Sequence, residues 1–169
     1  MESRLPAELE IREVEYTHPD AQALIDRVQQ VYAERYGSGD ESPVDASMFD
    51  RPAGAFFVGY LEGIPVATGA WRTEEIERLG SSNAAEIKRM YVVPEVARQG
   101  HARTMLARLE ESAEVAGHDV LVLSTGTLQP EAIQLYVSSG FEAVAPFGHY
   151  ADAPLCRCFA KRLGTAPNH

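Results

Sequence analysis

Residues 86–106 read EIKRMYVVPEVARQGHARTML and combine an apolar run, a proline stop and a glycine turn. The run from Glu86 to Val93 is typical of a buried strand, and Pro94 ends it because proline cannot donate to a sheet ladder. After Gly100 the apolar residues recur at helical spacing, which predicts an amphipathic helix over residues 101–116. The stretch therefore predicts a strand that leads through a short loop into a helix.

The loop before this helix has the composition of an anion-binding site. A helix N-terminus exposes unpaired backbone N–H groups and the positive end of the peptide dipoles. A small residue such as Gly100 lets the backbone approach a phosphate closely. Arg98 and Arg103 flank the glycine and can add charge-assisted hydrogen bonds, and His101 can add another donor. The pattern predicts a pyrophosphate site, with a plain glycine-containing turn as the alternative.

Outward from this stretch, hydrophobic periodicity predicts further strands and helices. The expected strands cover residues 9–16, 55–61, 66–71, 86–93, 120–123, 141–145 and 155–160. The expected helices cover residues 19–37, 45–49, 101–116 and 130–139, and residues 62–65 are the turn of a hairpin. This order favours a single α/β (α+β) domain over residues 1–169, with a mixed, mostly antiparallel sheet and a parallel pair of central strands.

The composition is that of a globular protein of 169 residues, 45% of them apolar and 24% charged. The formal net charge of −10 argues against nucleic acid or an anionic membrane as the main partner. The acidic N-terminus, MESRLPAELE, lacks the apolar core of a secretory signal, and no apolar run in the sequence is long enough to cross a bilayer. A cytoplasmic protein is therefore expected.

The two cysteines, Cys156 and Cys158, are separated by one residue. On a strand they would point to the same face as neighbours. A metal site would need further ligands, and no His/Cys cluster in the sequence supplies them. No metal is therefore expected, and the two thiols are interpreted as small, half-buried strand residues.

Two motifs in this sequence resemble those of a known family. The segment from Met90 to Glu95, followed by RQGHARTML, resembles the coenzyme A-binding motif of the GNAT superfamily of N-acetyltransferases, whose pattern is Arg/Gln-x-x-Gly-x-Gly/Ala. Gly100 and Ala102 match the last two positions of that pattern. Ala97 departs from the first position, and the neighbouring Arg98 can compensate for it.

The second motif lies one helix and one strand downstream. The run QPEAIQLYVSSGF, residues 129–141, resembles the family pattern Asn-x-x-Ala-x-x-Leu-Tyr-x-x-x-Gly-Phe, with Gln129 in place of the asparagine. The order and separation of the two motifs are those of the family, and the tail resembles that of small bacterial members. The resemblance implies a GNAT-like domain in which two parallel central strands splay apart between flanking helices.

The resemblance also implies direct transfer of an acetyl group from acetyl-CoA, a co-substrate, to an amine. A strand N–H near Val92 and Val93 would polarise the thioester carbonyl, the glycine loop would bind the pyrophosphate, and Gln129 would contact the pantetheine arm. The binding residues that it implies are Tyr91, Val92, Val93, Arg98, Gln99, Gly100, His101, Ala102, Arg103, Gln129 and Tyr136.

Two catalytic residues follow from the same resemblance. Tyr136 occupies the tyrosine position of the second motif and would be the general acid that protonates the leaving thiolate. Glu86 stands 14 positions before Gly100, the register of the catalytic glutamate in histone-type members, and would be the base. The alternatives are a tyrosine that only packs on the sheet and a glutamate that only pairs with Lys88 or Arg72, with ordered water as the base.

No motif names the acceptor. We expect the primary amine of a small molecule or peptide, and the acidic surface favours a cationic one. Candidates to line its pocket are Trp71, Arg72, His149 and Tyr150. Many relatives are dimers, so a homodimer is left open.

A second function is also left open. Ala97 and Gln129 depart from the family patterns, and Ser124 stands where many members place a glutamate. These departures are compatible with a catalytically weak coenzyme A-binding sensor or regulatory protein of the same fold. The retained Tyr136 favours the enzyme.

Overall fold

The computed structural model describes residues 8–37, 45–127, 129–148 and 151–164 of the chain. The strands are β1 (Glu10–Val14), β2 (Gly54–Leu61), β3 (Ile64–Glu74), β4 (Ala84–Val92), β5 (Val120–Gly126), β6 (Glu142–Val144) and β7 (Cys156–Arg162). The helices are α1 (Pro19–Tyr36), α2 (His101–Val115) and α3 (Pro130–Ser138), with 3₁₀ turns at Ala46–Phe49 and Pro94–Val96. The predicted elements are confirmed in type and order.

The described residues form one seven-stranded sheet with the strand order β1-β2-β3-β4-β5-β7-β6. Neighbouring strands are antiparallel except for β4 and β5, which are parallel. In the described part of the chain, β4 and β5 pair with each other from Ala84–Val120 to Glu86–Val122. Beyond these pairs, β4 remains paired with β3 and β5 with β7, and among the described residues the edges of β4 and β5 that face each other are unpaired. The expected α/β fold, with a mixed, mostly antiparallel sheet and splayed parallel central strands, is confirmed.

Local sequence explains where α1 begins and ends. The His18 Nδ1 atom accepts a hydrogen bond from the Asp20 amide at 3.1 Å, and Pro19 occupies the first turn, where its missing N–H costs nothing. Gly37 ends the helix in the left-handed conformation, with φ of 85°, and its N–H donates to the Ala33 carbonyl. None of the helices within the described ranges is long and apolar enough to cross a membrane.

The strands β5 and β3 exceed their predicted lengths by the widest margins, because their neighbours extend them. The predicted β5 ends at Leu123, whereas the structure continues it through Gly126, since Ser124 pairs with Cys158 on β7. In the hairpin, Glu62 and Gly63 form the turn with φ of 50° and 82°, and Ile64 and Pro65 already pair with β2. The polar Ser124 and the turn-forming Pro65 argue against a strand at these positions, and the pairing with distant strands overrides both local signals.

The core lies on both faces of the sheet. On one face α2 packs so closely on β3 that a Cβ atom at Gly69 would lie 2.7 Å from the Met105 Cγ atom. Trp71 is fully buried on this face, and its indole N–H donates to the Ser112 hydroxyl at 2.9 Å. On the other face α1 buries Leu24 and its apolar neighbours. The two layers hold β4 between them and thus position the splayed strands.

Gly54, at the start of β2, is packed against the backbone of two neighbouring segments, and a larger side chain there should destabilise the protein. A Cβ atom at Gly54 would meet the Met48 carbonyl oxygen and lie 2.5 Å from the Trp71 carbonyl oxygen. Backbone atoms cannot move aside, so we expect Gly54→Ala to lower the free energy of unfolding by about 3 kcal/mol. Gly69→Ala is the matched control. The flexible Met105 side chain can move aside, so this variant should lose only about 1 kcal/mol of the free energy of unfolding. Equal losses in chemical denaturation would contradict the prediction.

Candidate active site

The splay between β4 and β5 is accompanied by a bulge in β4. Arg89 has a positive φ of 56°, and the β3–β4 register shifts between Thr68 and Ala70. The Thr68 hydroxyl donates to the Arg89 carbonyl at 2.6 Å and stabilises the bulge. Bulges bend a strand and increase its twist. β4 therefore turns away from β5 directly after Glu86 and leaves an open cleft between the two strands.

The unpaired edge of β4 presents backbone groups to this cleft. The Val93 amide donates to the Val66 carbonyl at 2.9 Å, so this N–H points to β3 and is already bonded. Successive amides of a strand point to opposite edges, and the Val92 amide therefore faces the cleft. Of the two amides that the resemblance suggested for the thioester carbonyl, Val92 is the one that this geometry leaves available.

At the mouth of the cleft, α2 begins without a side-chain cap. Gly100 is the N-cap in the left-handed conformation, with φ of 87°, and it has no side chain to bond the first-turn amides. Arg98 lies beside it with a positive φ of 64° and is exposed. The exposed amides, the helix dipole and an exposed cation together fit a phosphate group. A pyrophosphate such as that of acetyl-CoA therefore suits this end of the cleft.

The other predicted phosphate ligands are placed less directly. Arg103 donates to the hydroxyls of Ser138 and Ser139 at 2.9 and 3.1 Å, which ties α2 to the end of α3. His101 is buried, with its Nε2 atom 3.3 Å from the Gln99 Oε1 atom. These hydroxyls are neutral and do not cancel the positive charge of Arg103, which adds to the field at the helix end.

Gln129 stands on the β5 side of the cleft. It is the N-cap residue of α3, and its Oε1 atom accepts a hydrogen bond from the Thr125 hydroxyl at 3.2 Å. This bond uses the side-chain oxygen, and the NH₂ group is the part of the Gln129 side chain that can donate to a ligand. Thr125 was not identified from the sequence, because its role depends on the contact with Gln129.

Tyr136 lies on the buried face of α3. Its ring packs edge-on against Phe141, with 5.6 Å between ring centroids, and the residue is 5% exposed. Burial raises the pKa of the Tyr136 hydroxyl, and Tyr32 on α1 raises it further. The hydroxyl is therefore protonated at neutral pH, which is the state that a general acid needs.

Glu86 lies on β4 at the last pair that joins β4 to β5. Its carboxylate is 3.1 Å from the Arg72 Nη2 atom and 3.9 Å from the Lys88 Nζ atom. Burial raises the pKa of Glu86, with Glu74 acting in the same direction, while Lys88 and Arg72 oppose the rise. The ion pairs expected as the alternative to a base are present, and the raised pKa makes the same carboxylate a better proton acceptor near neutral pH.

The expected acceptor-lining residues divide into three groups. The prediction that Trp71 lines the acceptor pocket is wrong, because this residue is fully buried beneath α2. Arg72 lies at the cleft, bonded to Glu86. His149 and Tyr150 fall outside the described residues.

The C-terminal turn of α1 closes one side of the cleft, which the sequence did not indicate. The Tyr36 hydroxyl lies directly over Gly126 at the end of β5, where any Cβ atom would collide with it. Arg35 bonds Glu131 at 2.8 Å and joins α1 to the first turn of α3. No local pattern in α1 predicts these contacts, since they depend on how three elements meet.

The two cysteines are neighbours on β7, as predicted. Their Sγ atoms lie 3.9 Å apart, and the Cys158 Sγ atom is 3.8 Å from the Ser124 Oγ atom. Burial raises the pKa of the Cys156 thiol to about 11, so it is a poor nucleophile at neutral pH.

Comparison with known proteins gives a consistent result. The model of the acetyltransferase (GNAT) family matches residues 25–141. An IAA acetyltransferase of Azospirillum brasilense is 33% identical over 141 residues, which are 83% of this chain and 88% of that protein. These spans include both motifs and most of the described elements.

Solved structures share the fold. A proposed acyl-CoA N-acyltransferase of Klebsiella pneumoniae has a TM-score of 0.74 and 26% identity, covering 92% of this chain and 97% of that one. The PaiA N-acetyltransferase of Thermoplasma acidophilum, solved in complex with coenzyme A, has a TM-score of 0.64 and 16% identity, covering 92% and 99%. The chain therefore belongs to the acetyltransferase (GNAT) family.

Proposed function

We propose that this protein transfers the acetyl group of acetyl-CoA directly to the primary amine of a small molecule or peptide. The observation that carries the proposal is the cleft between β4 and β5, which runs from the uncapped start of α2 to the buried Glu86. Acetyl-CoA needs an anion site at one end and strand edges along its pantetheine arm, and the cleft offers both.

In this proposal the chain binds acetyl-CoA with three groups of residues. Backbone groups of Tyr91 to Val93 line the arm, with the Val92 amide at the thioester carbonyl. The residues proposed for the pyrophosphate are Arg98, Gln99, Gly100, His101, Ala102 and Arg103. Gln129 contacts the pantetheine arm, and Tyr136 contacts the thioester end.

Two proton transfers complete the proposal. Glu86 takes a proton from the acceptor amine, because only the neutral amine has the lone pair that attacks the carbonyl carbon. The Val92 amide stabilises the oxyanion that then forms. Tyr136 donates its proton to the coenzyme A thiolate as the carbon–sulfur bond breaks. The net charge of −10 favours cationic acceptors, which diffuse toward an acidic surface.

The test is release of free coenzyme A thiol from acetyl-CoA in the presence of a panel of amines. We expect release that requires both the protein and an amine, and we expect Arg98→Ala to weaken acetyl-CoA binding about tenfold in calorimetry, as loss of a charged hydrogen bond does. Arg108→Ala is the matched control, because Arg108 is exposed farther along α2 and stacks on Phe57.

Two outcomes would contradict the proposal. If the protein binds acetyl-CoA but releases no thiol with any amine, the coenzyme A-binding sensor is favoured over the transferase. If Arg98→Ala and Arg108→Ala bind acetyl-CoA equally well, the anion site at α2 is wrong.

A further inference from the structure

We propose that Glu74, on β3, is a positioning residue for the transfer: it shares Arg72 with Glu86 and so keeps Glu86 able to accept the proton of the amine. The inference rests on the proposed role of Glu86 as the base. Neither motif of the sequence includes Glu74, because it reaches the site only through the pairing of β3 with β4.

The register of the two strands brings the groups together. Arg72 pairs directly with Glu86, and Glu74 pairs with Ala84, so the side chains of Arg72, Glu74 and Glu86 lie on one face of the sheet. The Arg72 Nη2 atom is 2.9 Å from the Glu74 Oε2 atom and 3.1 Å from the Glu86 Oε1 atom. One nitrogen of Arg72 is thus divided between two carboxylates.

Glu74 is itself held in place. Its Oε1 atom accepts a hydrogen bond from the Glu75 amide at 3.0 Å, while its Oε2 atom faces Arg72. Its side chain is 17% exposed, against 6% for Glu86. Glu74 also lines a surface depression of about 340 Å³ together with neighbours from the β3–β4 connection. The outer carboxylate therefore contacts solvent while the inner one is almost fully buried.

The charges around Glu86 explain what Glu74 contributes. Arg72 and Glu74 face Glu86 from β3, Lys88 lies beside it on β4, and the apolar Val122 is its partner on β5. The two cations lower the pKa of Glu86, and the negative charge and hydrogen bonding of Glu74 raise it. Without Glu74, Arg72 would no longer be shared and the opposing negative charge would be lost, so Glu86 would be a weaker base.

The experiment is the pH dependence of kcat/KM for Glu74→Gln, with one amine used throughout so that its own titration cancels. The sign follows from the removal of a neighbouring negative charge: the pKa of Glu86 falls, and the acidic limb of the profile moves to lower pH by about one unit. The plateau of kcat falls, but by less than the roughly 100-fold that loss of a general base causes. The KM for acetyl-CoA stays unchanged.

Two variants make the result specific. Glu75→Gln removes an equal charge from the adjacent exposed residue and should give the wild-type profile. Glu74→Asp keeps the charge and should return the limb toward the wild-type position. A structural defect at residue 74 would instead lower the melting temperature and the plateau without moving the limb.

A Glu74→Gln profile that overlays those of the wild type and Glu75→Gln would overturn the inference. The single variant Glu86→Gln, measured beside Glu74→Gln, separates the inference from the proposed function. If Glu86→Gln removes the acidic limb and Glu74→Gln does not move it, only the inference about Glu74 is contradicted, and the base assignment of Glu86 stands. If Glu86→Gln leaves the limb in place, the base assignment is wrong, and the inference falls with it.

Discussion

Replacing Tyr136 with phenylalanine is expected to lower kcat about 100-fold, the usual contribution of a general acid, while acetyl-CoA binds with nearly unchanged affinity. The substitution removes one oxygen from a buried ring whose packing against Phe141 stays intact. Because the raised pKa keeps the hydroxyl protonated across the neutral range, its proton is present whenever the thiolate leaves. Steady-state turnover and calorimetric binding of acetyl-CoA, measured on the same preparation, test this expectation.

The matched control is Tyr60→Phe. Tyr60 is also a buried tyrosine, but it lies on β2, away from the cleft, and its hydroxyl donates to Asp20 on α1 at 2.7 Å. Its loss should cost about 1 kcal/mol of stability and leave kcat unchanged. If Tyr136→Phe keeps wild-type turnover, Tyr136 is only a packing residue and ordered water becomes the proton donor to test next.

The fold was predictable because local patterns agree with the tertiary structure. The run from Glu86 to Val93, the glycine before α2 and the Gly37 stop of α1 each specify one conformation without help from distant residues. The errors in strand length occur where the pairing partner determines the end of a strand. Ser124 and its polar neighbour continue β5 because β7 pairs with them, and no periodicity within the segment shows this.

The site was predictable only as far as its motifs extend. Gly100 could be placed at a helix start from the local sequence, whereas Tyr136 could be proposed only from its position in the second motif, by resemblance to the family. The orientation of Gln129 by Thr125 depends on a tertiary contact, as does the Arg103 contact with α3. The shared Arg72 depends on the register of β3 against β4. Such contacts join residues far apart in sequence, and a single sequence holds no signal of them.

The environment of Glu86 also shows why the two interpretations of this residue were not exclusive. A carboxylate that is only buried would be neutral at pH 7, and one that is only paired with cations would be a weak base. Burial together with Glu74 offsets the two cations, so the carboxylate stays paired and still has a raised pKa. An ion pair and a general base are therefore compatible at this position.

Glu86→Gln should accordingly produce the second large effect, a loss of about 100-fold in kcat together with a changed pH profile. In the wild type, the base is the ionised carboxylate, and its pKa lies above that of an ordinary glutamate, so kcat/KM falls as the pH drops through this raised pKa. Glutamine does not titrate, so the variant should lose this limb and retain only the titration of the amine. Wild-type acetyl-CoA affinity and a cooperative thermal unfolding transition would show that the Glu86→Gln variant is folded.

Glu77→Gln is the matched control for this test, because Glu77 is exposed on the β3–β4 connection. A folded Glu86→Gln enzyme whose profile superimposes on that of Glu77→Gln would remove Glu86 from the chemistry and leave it as the partner of Arg72. A lost limb with a lower plateau would instead require that the carboxylate itself takes the proton. Ordered water alone could not produce this result: water does not titrate near neutral pH, so with water as the base the limb would come from the amine and would be the same in both variants. The pH profile therefore distinguishes the two bases, which a single rate at one pH cannot do.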